Sequence, residues 1–268
     1  MKKKRADVLL YEKGIVDSRE KGKRLIMQGL VYVGTLRIDK PGERLDEDVD
    51  IYVKDNPLIY VGRGGLKLEK AIDEFKIDLR DTITMDIGAS TGGFTDCMLK
   101  EGAIKVYAVD VGYGQLDWSL RNDQRVIVME RTNIRNVRPE DIGEKLDFIS
   151  IDVSFISLGL VLPVAKSLLK KDGEIVALIK PQFEAGKNNV GKKGIVRDRN
   201  IHIRVLQEII DMSTNLTLGV KNLSFSPITG AKGNIEFLIH LINNAKSIYR
   251  QDDIHNLVEQ AHNTLIEF

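Results

Sequence analysis

Residues Thr84–Asp96 read TMDIGASTGGFTD, the end of an apolar run, a turn and a segment able to start a helix. The run closes on an acid, Asp86. Gly88, Gly92 and Gly93 form the turn, and Phe94 opens the helical stretch. A strand feeding a glycine-rich turn and a helix lets backbone and helix N-terminus approach a bound ligand. A second acid, Asp110, closes the next apolar run, VYAVD. This pair of strand-end acids around a glycine turn points to a nucleotide-like cofactor.

Three readings of the turn compete. Its spacing is G-A-S-T-G-G rather than G-x-G-x-x-G, which weakens a dinucleotide site. Gly88–Gly92 also fits G-x-S-x-G, with Ser90 as a hydrolase nucleophile. That reading needs a later histidine in a loop, whereas His202 falls in a basic helical stretch and His240 inside an apolar strand. S-adenosylmethionine suits the residues best. The backbone of Gly88, Ala89, Ser90, Gly92, Gly93 and Phe94 can approach its amino-acid end, and Asp110 can accept from both ribose hydroxyls. Asp86 orients the turn or neutralises the ligand's ammonium.

The chain of 268 residues has room for a large α/β domain and a small one. An apolar share of 43% supports a core, and 29% charged residues point to a soluble protein. One cysteine, Cys97, excludes an internal disulfide and a Cys-based zinc cage and fits a cytoplasmic chain; no metal is called for. The basic N-terminus lacks a signal-length apolar segment, and no run approaches 18 apolar residues, so membrane insertion is not expected. Net charge is only +1, but residues 1–37 hold ten Lys/Arg against four acids, and residues 185–205 hold six against one. Two basic regions on a near-neutral chain point to a polyanion.

The pattern divides the chain into a small α+β unit at 1–59, a linker at 60–66 and an α/β domain at 67–268, with Asn56-Pro57 as the break. In the first unit, helices are expected over 5–13 and from a Ser18 cap to a Gly29 stop, then strands at 30–33 and 51–53. Beyond the linker, strands are expected at 82–87, 105–109, 125–129, 148–151, 174–179, 220–225 and 236–241. Helical stretches between most of them predict a doubly wound, Rossmann-like, mainly parallel sheet whose last pair can be antiparallel. Ile254, Leu257, Val258, Ala261 and Leu265 give residues 252–266 an amphipathic helix.

Four charges stand where apolar runs begin or end, or beside glycines: Lys67 in GRGGLKL, Asp152 after DFISI, Lys180 after EIVALI and Glu236 at the opening of IEFLIHL. In an open α/β sheet, ligands lie outside the carboxyl ends of the strands, where Asp152 and Lys180 project. In order and approximate spacing the four resemble the K-D-K-E tetrad of FtsJ/RrmJ-like ribose 2′-O-methyltransferases. VGRGGLKLEKAI, DIGASTGGFTD, AVDVGYGQLDWSLR, ISIDVSFISL, LIKPQFEAG and KGNIEFL tighten the resemblance to the TlyA family of bacterial rRNA methyltransferases, as does SRxxGKRLIMxGLVYV near the N-terminus.

The resemblance implies methyl transfer from S-adenosylmethionine to the 2′-hydroxyl of a cytidine in 23S rRNA. A complete N-terminal unit implies 16S rRNA as well. That unit resembles the alpha-L RNA-binding domain, although Val33-Gly34-Thr35 stands where Asn-Gly often follows the strand. Within the tetrad, Lys180 is assigned as general base, Lys67 either as the second cation that lowers its pKa or as the group that stabilises the developing alkoxide, and Asp152 and Glu236 as the acids that aim the lysines. Arg5, Arg19, Lys21, Lys23 and Arg24 form the expected RNA-binding cluster. Lys187, Lys192, Lys193, Arg197 and Arg199 lie in a second basic segment. Phe155 either stacks on a base or packs in the core. Two rival functions remain at this stage: a membrane-active haemolysin-like protein and a non-catalytic RNA-binding module.

Overall fold

The computed structural model describes residues 3–16, 18–34, 36–53, 60–230, 233–248 and 251–265. The Asn56-Pro57 break, Thr35, and Lys232 of KGNIEFL lie outside them. The chain divides into two compact units, Met1–Arg63 and Gly64–Phe268.

In the first unit, β1 (Lys3–Arg5) leads directly into α1 (Ala6–Glu12), and α2 (Arg19–Met27) follows. Ser18 caps α2 by accepting from the Lys21 N–H, and Gly29, with φ of +73°, takes the left-handed conformation that ends it. β2 (Val31–Val33) pairs antiparallel with β3 (Leu36–Arg37) and β5 (Ile51–Val53), and β1 pairs antiparallel with β4 (Arg44–Asp46). Ala6, Leu9, Leu10, Leu25, Ile26 and Val31 close a small core. β1, β3 and β4 were not expected. Each has only two or three residues, too few for a period-two pattern to show.

The second unit is a seven-stranded sheet. Its strands are β6 (Ile83–Ile87), β7 (Lys105–Val109), β8 (Val126–Met129), β9 (Leu146–Ile151), β10 (Leu169–Ile179), β11 (Leu218–Phe225) and β12 (Phe237–Asn243). All seven expected strands are present, with ends shifted by a few residues. Their order is β11-β12-β10-β9-β6-β7-β8, and β12 runs antiparallel to both neighbours. β6, β7 and β9 are buried almost continuously, as strands covered on both faces are. From β6 the chain runs outward through β7 and β8. It then returns to lay β9 on the other side of β6, so the reversal falls between β6 and β9.

α3 (Gly65–Phe75) starts inside the stretch expected as linker, because the glycines of GRGG lead into the helix rather than keep the chain extended. α3 lies against the antiparallel end of the sheet. The Phe75 ring stacks on His240 of β12 at 5.6 Å, and Lys70 Nζ donates to the Phe225 carbonyl at 2.7 Å. α4 (Gly93–Lys100) follows the glycine turn, the short α5 (Trp118–Arg121), α6 (Pro139–Ile142), α7 (Leu162–Leu168) and α8 (Pro181–Glu184) fall between the later strands, and α9 (Arg199–Asn215) packs with the C-terminal α10 (Gln251–Leu265). Ile254, Leu257, Val258 and Ala261 of α10 are buried in the main core, on the face the sequence pattern predicts.

Candidate active site

At the switch point, the turn after β6 packs directly on the end of β9. Gly88 has φ of +91°, and a Cβ there would lie 2.5 Å from the Asp152 carbonyl oxygen, so the turn tolerates only glycine. A cavity of about 740 Å³ lies beyond the strand ends. Gly88, Ser90, Asp110 and Asp152 line it, joined by Thr132–Arg135 after β8 and by Val153–Ser157 after β9. Of these two segments, Thr132–Arg135 escaped the sequence reading, whereas Val153–Ser157 entered it through Phe155. The only signal of Thr132–Arg135 is position, since it follows the carboxyl end of β8, a parallel strand.

Asp110 ties the cavity rim together. Its Oδ2 accepts from the Ser90 N–H at 2.8 Å and its Oδ1 from the Gly112 N–H at 2.6 Å. Each carboxylate oxygen keeps a second lone pair, enough for the two hydroxyls of a ribose. Glycine approach, a strand-end acid and a cavity within the usual size range for small ligands together fit an adenosyl cofactor.

Asp86 is fully buried under the turn. It accepts from the Thr95 N–H at 2.9 Å and the Thr95 hydroxyl at 2.7 Å, and Ser150 Oγ lies 3.3 Å away. Burial pushes its carboxyl up to about 7, with the Thr95 bonds opposing the shift. These bonds fit the orienting one of its two expected roles, and Asp86 does not line the cavity. Asp86 binds the first turn of α4 to β6. Ala89 and Phe94 are buried, the Phe94 ring beside Gly64 in the core. Gly92, with φ of +96°, caps α4, and Gly93 begins it.

The four predicted catalytic residues come together as an alternating chain of charges. Lys67 Nζ donates to Glu236 Oε2 at 2.6 Å and lies 4.0 Å from Asp152 Oδ2. Lys180 Nζ lies 2.5 Å from Asp152 Oδ1, while its aligned hydrogen bond goes to Ser154 Oγ at 3.1 Å. Lys67, Lys180 and Glu236 are buried, and the Asp152 side chain is 21% exposed. The sheet explains the meeting. Because β12 is antiparallel to β10, the pair Ile179↔Phe237 places Lys180, just after β10, at the same edge as Glu236, just before β12. A turn closes over Glu236 so tightly that a Cβ on Gly230 would sit 2.0 Å from its Oε1.

Among the described residues no histidine serves Ser90. Its Oγ donates to Gln115 Oε1 at 3.4 Å. His202 is buried 3.0 Å from His262, and His240 sits between Glu174 and Asn222. The hydrolase reading therefore has no geometry behind it.

Phe155 follows β9 with φ of +64° and is 90% exposed, which removes the core-packing alternative. Its ring meets Phe183 of α8 (Pro181–Glu184) at 4.9 Å, and Lys180 Nζ lies 5.9 Å from the Phe183 centroid. Of the second basic segment, Lys187, Lys192 and Lys193 are in the exposed or half-buried loop, and Arg199 begins α9, 3.2 Å from Glu259. Asn234 pins this loop, accepting from the Val196 N–H at 3.1 Å and donating to the Gly194 carbonyl at 3.0 Å. In the first unit, Arg5 and Arg19 both reach Asp7, and Lys23 pairs with Glu20 of its own helix. Lys21 and Arg24 are half-buried on α2.

The FtsJ-like methyltransferase family model matches residues 60–243, and the S4 domain model matches residues 4–51. YqxC of Bacillus subtilis, named as an rRNA methyltransferase, is 55% identical over 271 residues, covering 99% of this chain and 96% of that protein. TlyA of Mycobacterium tuberculosis, named as a 16S/23S rRNA (cytidine-2′-O)-methyltransferase, is 41% identical, covering 88% and 89%. A solved structure described as a hemolysin from Streptococcus thermophilus is 49% identical with a TM-score of 0.79, covering 98% of this chain and 97% of that one. Among the described residues, no helix is long and apolar enough to cross a membrane. A cofactor cavity at the switch point, a Lys-Asp-Lys-Glu chain at its edge and these matches agree: the chain belongs to the FtsJ-like methyltransferase family.

Proposed function

We propose that the protein methylates the ribose 2′-hydroxyl of a cytidine in 23S rRNA, and of another in 16S rRNA, with S-adenosylmethionine as donor. The alternating chain Glu236–Lys67–Asp152–Lys180 beside the cavity carries this reading. The TlyA relative named for this reaction supports the target, and the S4 match at residues 4–51 supports RNA capture.

A ribose hydroxyl is a weak nucleophile, so the site must hold it in line and take its proton. Positioning can supply roughly 7–11 kcal/mol of the barrier. A placed base adds about 10²–10⁴-fold. The bound cofactor contributes an electrophilic methyl on a sulfonium. Lys180 is the better base of the two lysines. Its partners Asp152 and Ser154 both line the cavity, whereas the nearest partner of Lys67 is the buried Glu236. Having given up its own proton to solvent, Lys180 Nζ would take the 2′-hydroxyl proton as the 2′-oxygen gains the methyl, the donor sulfur keeping the bonding pair as a neutral thioether. Lys67, pinned by Glu236, faces the negative charge that develops on that oxygen. Asp110 would hold the cofactor's ribose, and Phe155 would offer its exposed face to the target base.

Mapping 2′-O-methylcytidine in rRNA tests the reading. A strain lacking the protein should lose the mark from both rRNAs and regain it on complementation; unchanged methylation refutes it. Purified protein should transfer tritium from labelled donor to ribosomal subunits and leave dye-loaded liposomes intact. Leakage without transfer would favour the haemolysin-like alternative.

A further inference from the structure

We propose that Asp7, a buried carboxylate of the N-terminal unit, is a positioning residue that sets Arg5 and Arg19 side by side as one preformed fork for RNA phosphate. The inference rests on the reading that this unit captures RNA.

Arg5 and Arg19 come from different elements, the end of β1 and the start of α2. They meet on one carboxylate. Arg5 donates through Nε to Asp7 Oδ1 at 2.9 Å and through Nη2 to Oδ2 at 3.1 Å, and Arg19 Nη2 reaches the same Oδ2 at 3.4 Å. The Asp7 side chain has no solvent exposure, while those of Arg5 and Arg19 are 47% and 52% exposed. Each guanidinium thus turns one edge inward to Asp7 and keeps N–H groups facing outward, in the planar geometry that matches phosphate.

The surroundings hold the carboxylate still. The Ala6 N–H donates to the Glu43 carbonyl at 2.8 Å and the Asp7 N–H to the Pro41 carbonyl at 3.2 Å. Gly42 leaves room for Arg5, since a Cβ there would stand 3.3 Å from Nη1. Burial raises the affinity of Asp7 for a proton, yet the bonds from Arg5 and Arg19 outweigh it and hold the carboxyl below its ordinary value.

Charge alone and positioning predict opposite results. Removing the Asp7 charge raises the local positive charge by one, which by counterion release alone tightens RNA binding. Losing the anchor frees two long side chains, whose ordering must then occur on binding.

The test is methyl transfer to ribosomal subunits by full-length Asp7→Asn, with melting curves as a check on folding. KM for the subunit should rise about tenfold with kcat unchanged, as expected for loss of a charged hydrogen-bond anchor. Arg5→Ala should raise KM in the parent protein but far less in the Asp7→Asn background. An unchanged or lower KM for Asp7→Asn, or an Arg5→Ala cost equal in both backgrounds, overturns the proposal. If Asp7→Asn does not fold, Arg5→Lys decides: it keeps the charge but not the two-pronged bond. It should raise KM as Arg5→Ala does, and a lysine serving as well as the arginine overturns the fork. If neither Arg5→Ala nor Arg19→Ala moves KM, the RNA reading itself fails. If they do and Asp7→Asn does not, only the role of Asp7 fails.

Discussion

Lys67 Nζ donates to Glu236 Oε2 at 2.6 Å across 169 positions of sequence, with both side chains less than a tenth exposed. Removing one member of a buried pair leaves an uncompensated charge, which costs about 3–5 kcal/mol. Glu236→Ala is therefore expected to lose both activity and stability, measured by denaturant unfolding and methyl transfer. Glu236→Gln keeps a hydrogen-bond acceptor and should lose less stability while still impairing transfer.

Lys180 separates chemistry from binding. Lys180→Ala should lower kcat by at least about 10²-fold, the contribution of a placed base, while calorimetry shows cofactor affinity within a few-fold of the parent. A variant that retains its turnover would remove Lys180 from the base role.

Asp110 does two jobs, since it accepts from the Ser90 and Gly112 N–H groups and faces the cavity. Asp110→Ala should weaken S-adenosylmethionine binding by more than about tenfold, because hydrogen bonds to a charged group are worth about 1.5–3 kcal/mol. Unchanged affinity in a titration would show that Asp110 only braces the turn.

Phe155 is predicted to act on the RNA, not on the fold. Its ring is 90% exposed, so Phe155→Ala should leave the melting temperature nearly unchanged. Loss of stacking worth about 1–3 kcal/mol should reduce kcat/KM for the RNA roughly 5–150-fold. A large drop in melting temperature would instead assign Phe155 to packing.

Asp86 gives stability a pH dependence. Its carboxyl is pushed up from 3.8 to about 7 in the folded chain, chiefly by burial. Between those values the folded state holds a proton that the unfolded chain has released. The resulting stability is full below about pH 4 and is lost as pH rises through 7. Asp86→Asn carries no such proton, so its stability relative to the parent should grow between pH 5 and pH 8. The gain should be on the order of a few kcal/mol at most. Melting curves that run parallel across this range would contradict the shift.

The sequence by itself determined the strands of the sheet, the turn at 88–93 and the identity of the four charged residues. Those signals are local: apolar runs end on acids, and glycines stand where backbone must approach closely. Only the tertiary structure decided how these residues meet. The direction of β12 is not written in its own residues, which read as an apolar run either way. Antiparallel pairing with β10 brings Glu236 to the edge where Lys180 projects. The packing of α3 against β12 then carries Lys67 onto Glu236. The pairing of β1 with β4 likewise fell below the length that a pattern can reveal. The convergence of Arg5 and Arg19 on Asp7 needs α2 folded back on α1, a contact between elements that no local pattern encodes. Phe155 shows the same limit from the other side. Its sequence context left stacking on a base and packing in the core equally open, and only the left-handed backbone after β9, which turns it outward, separates them.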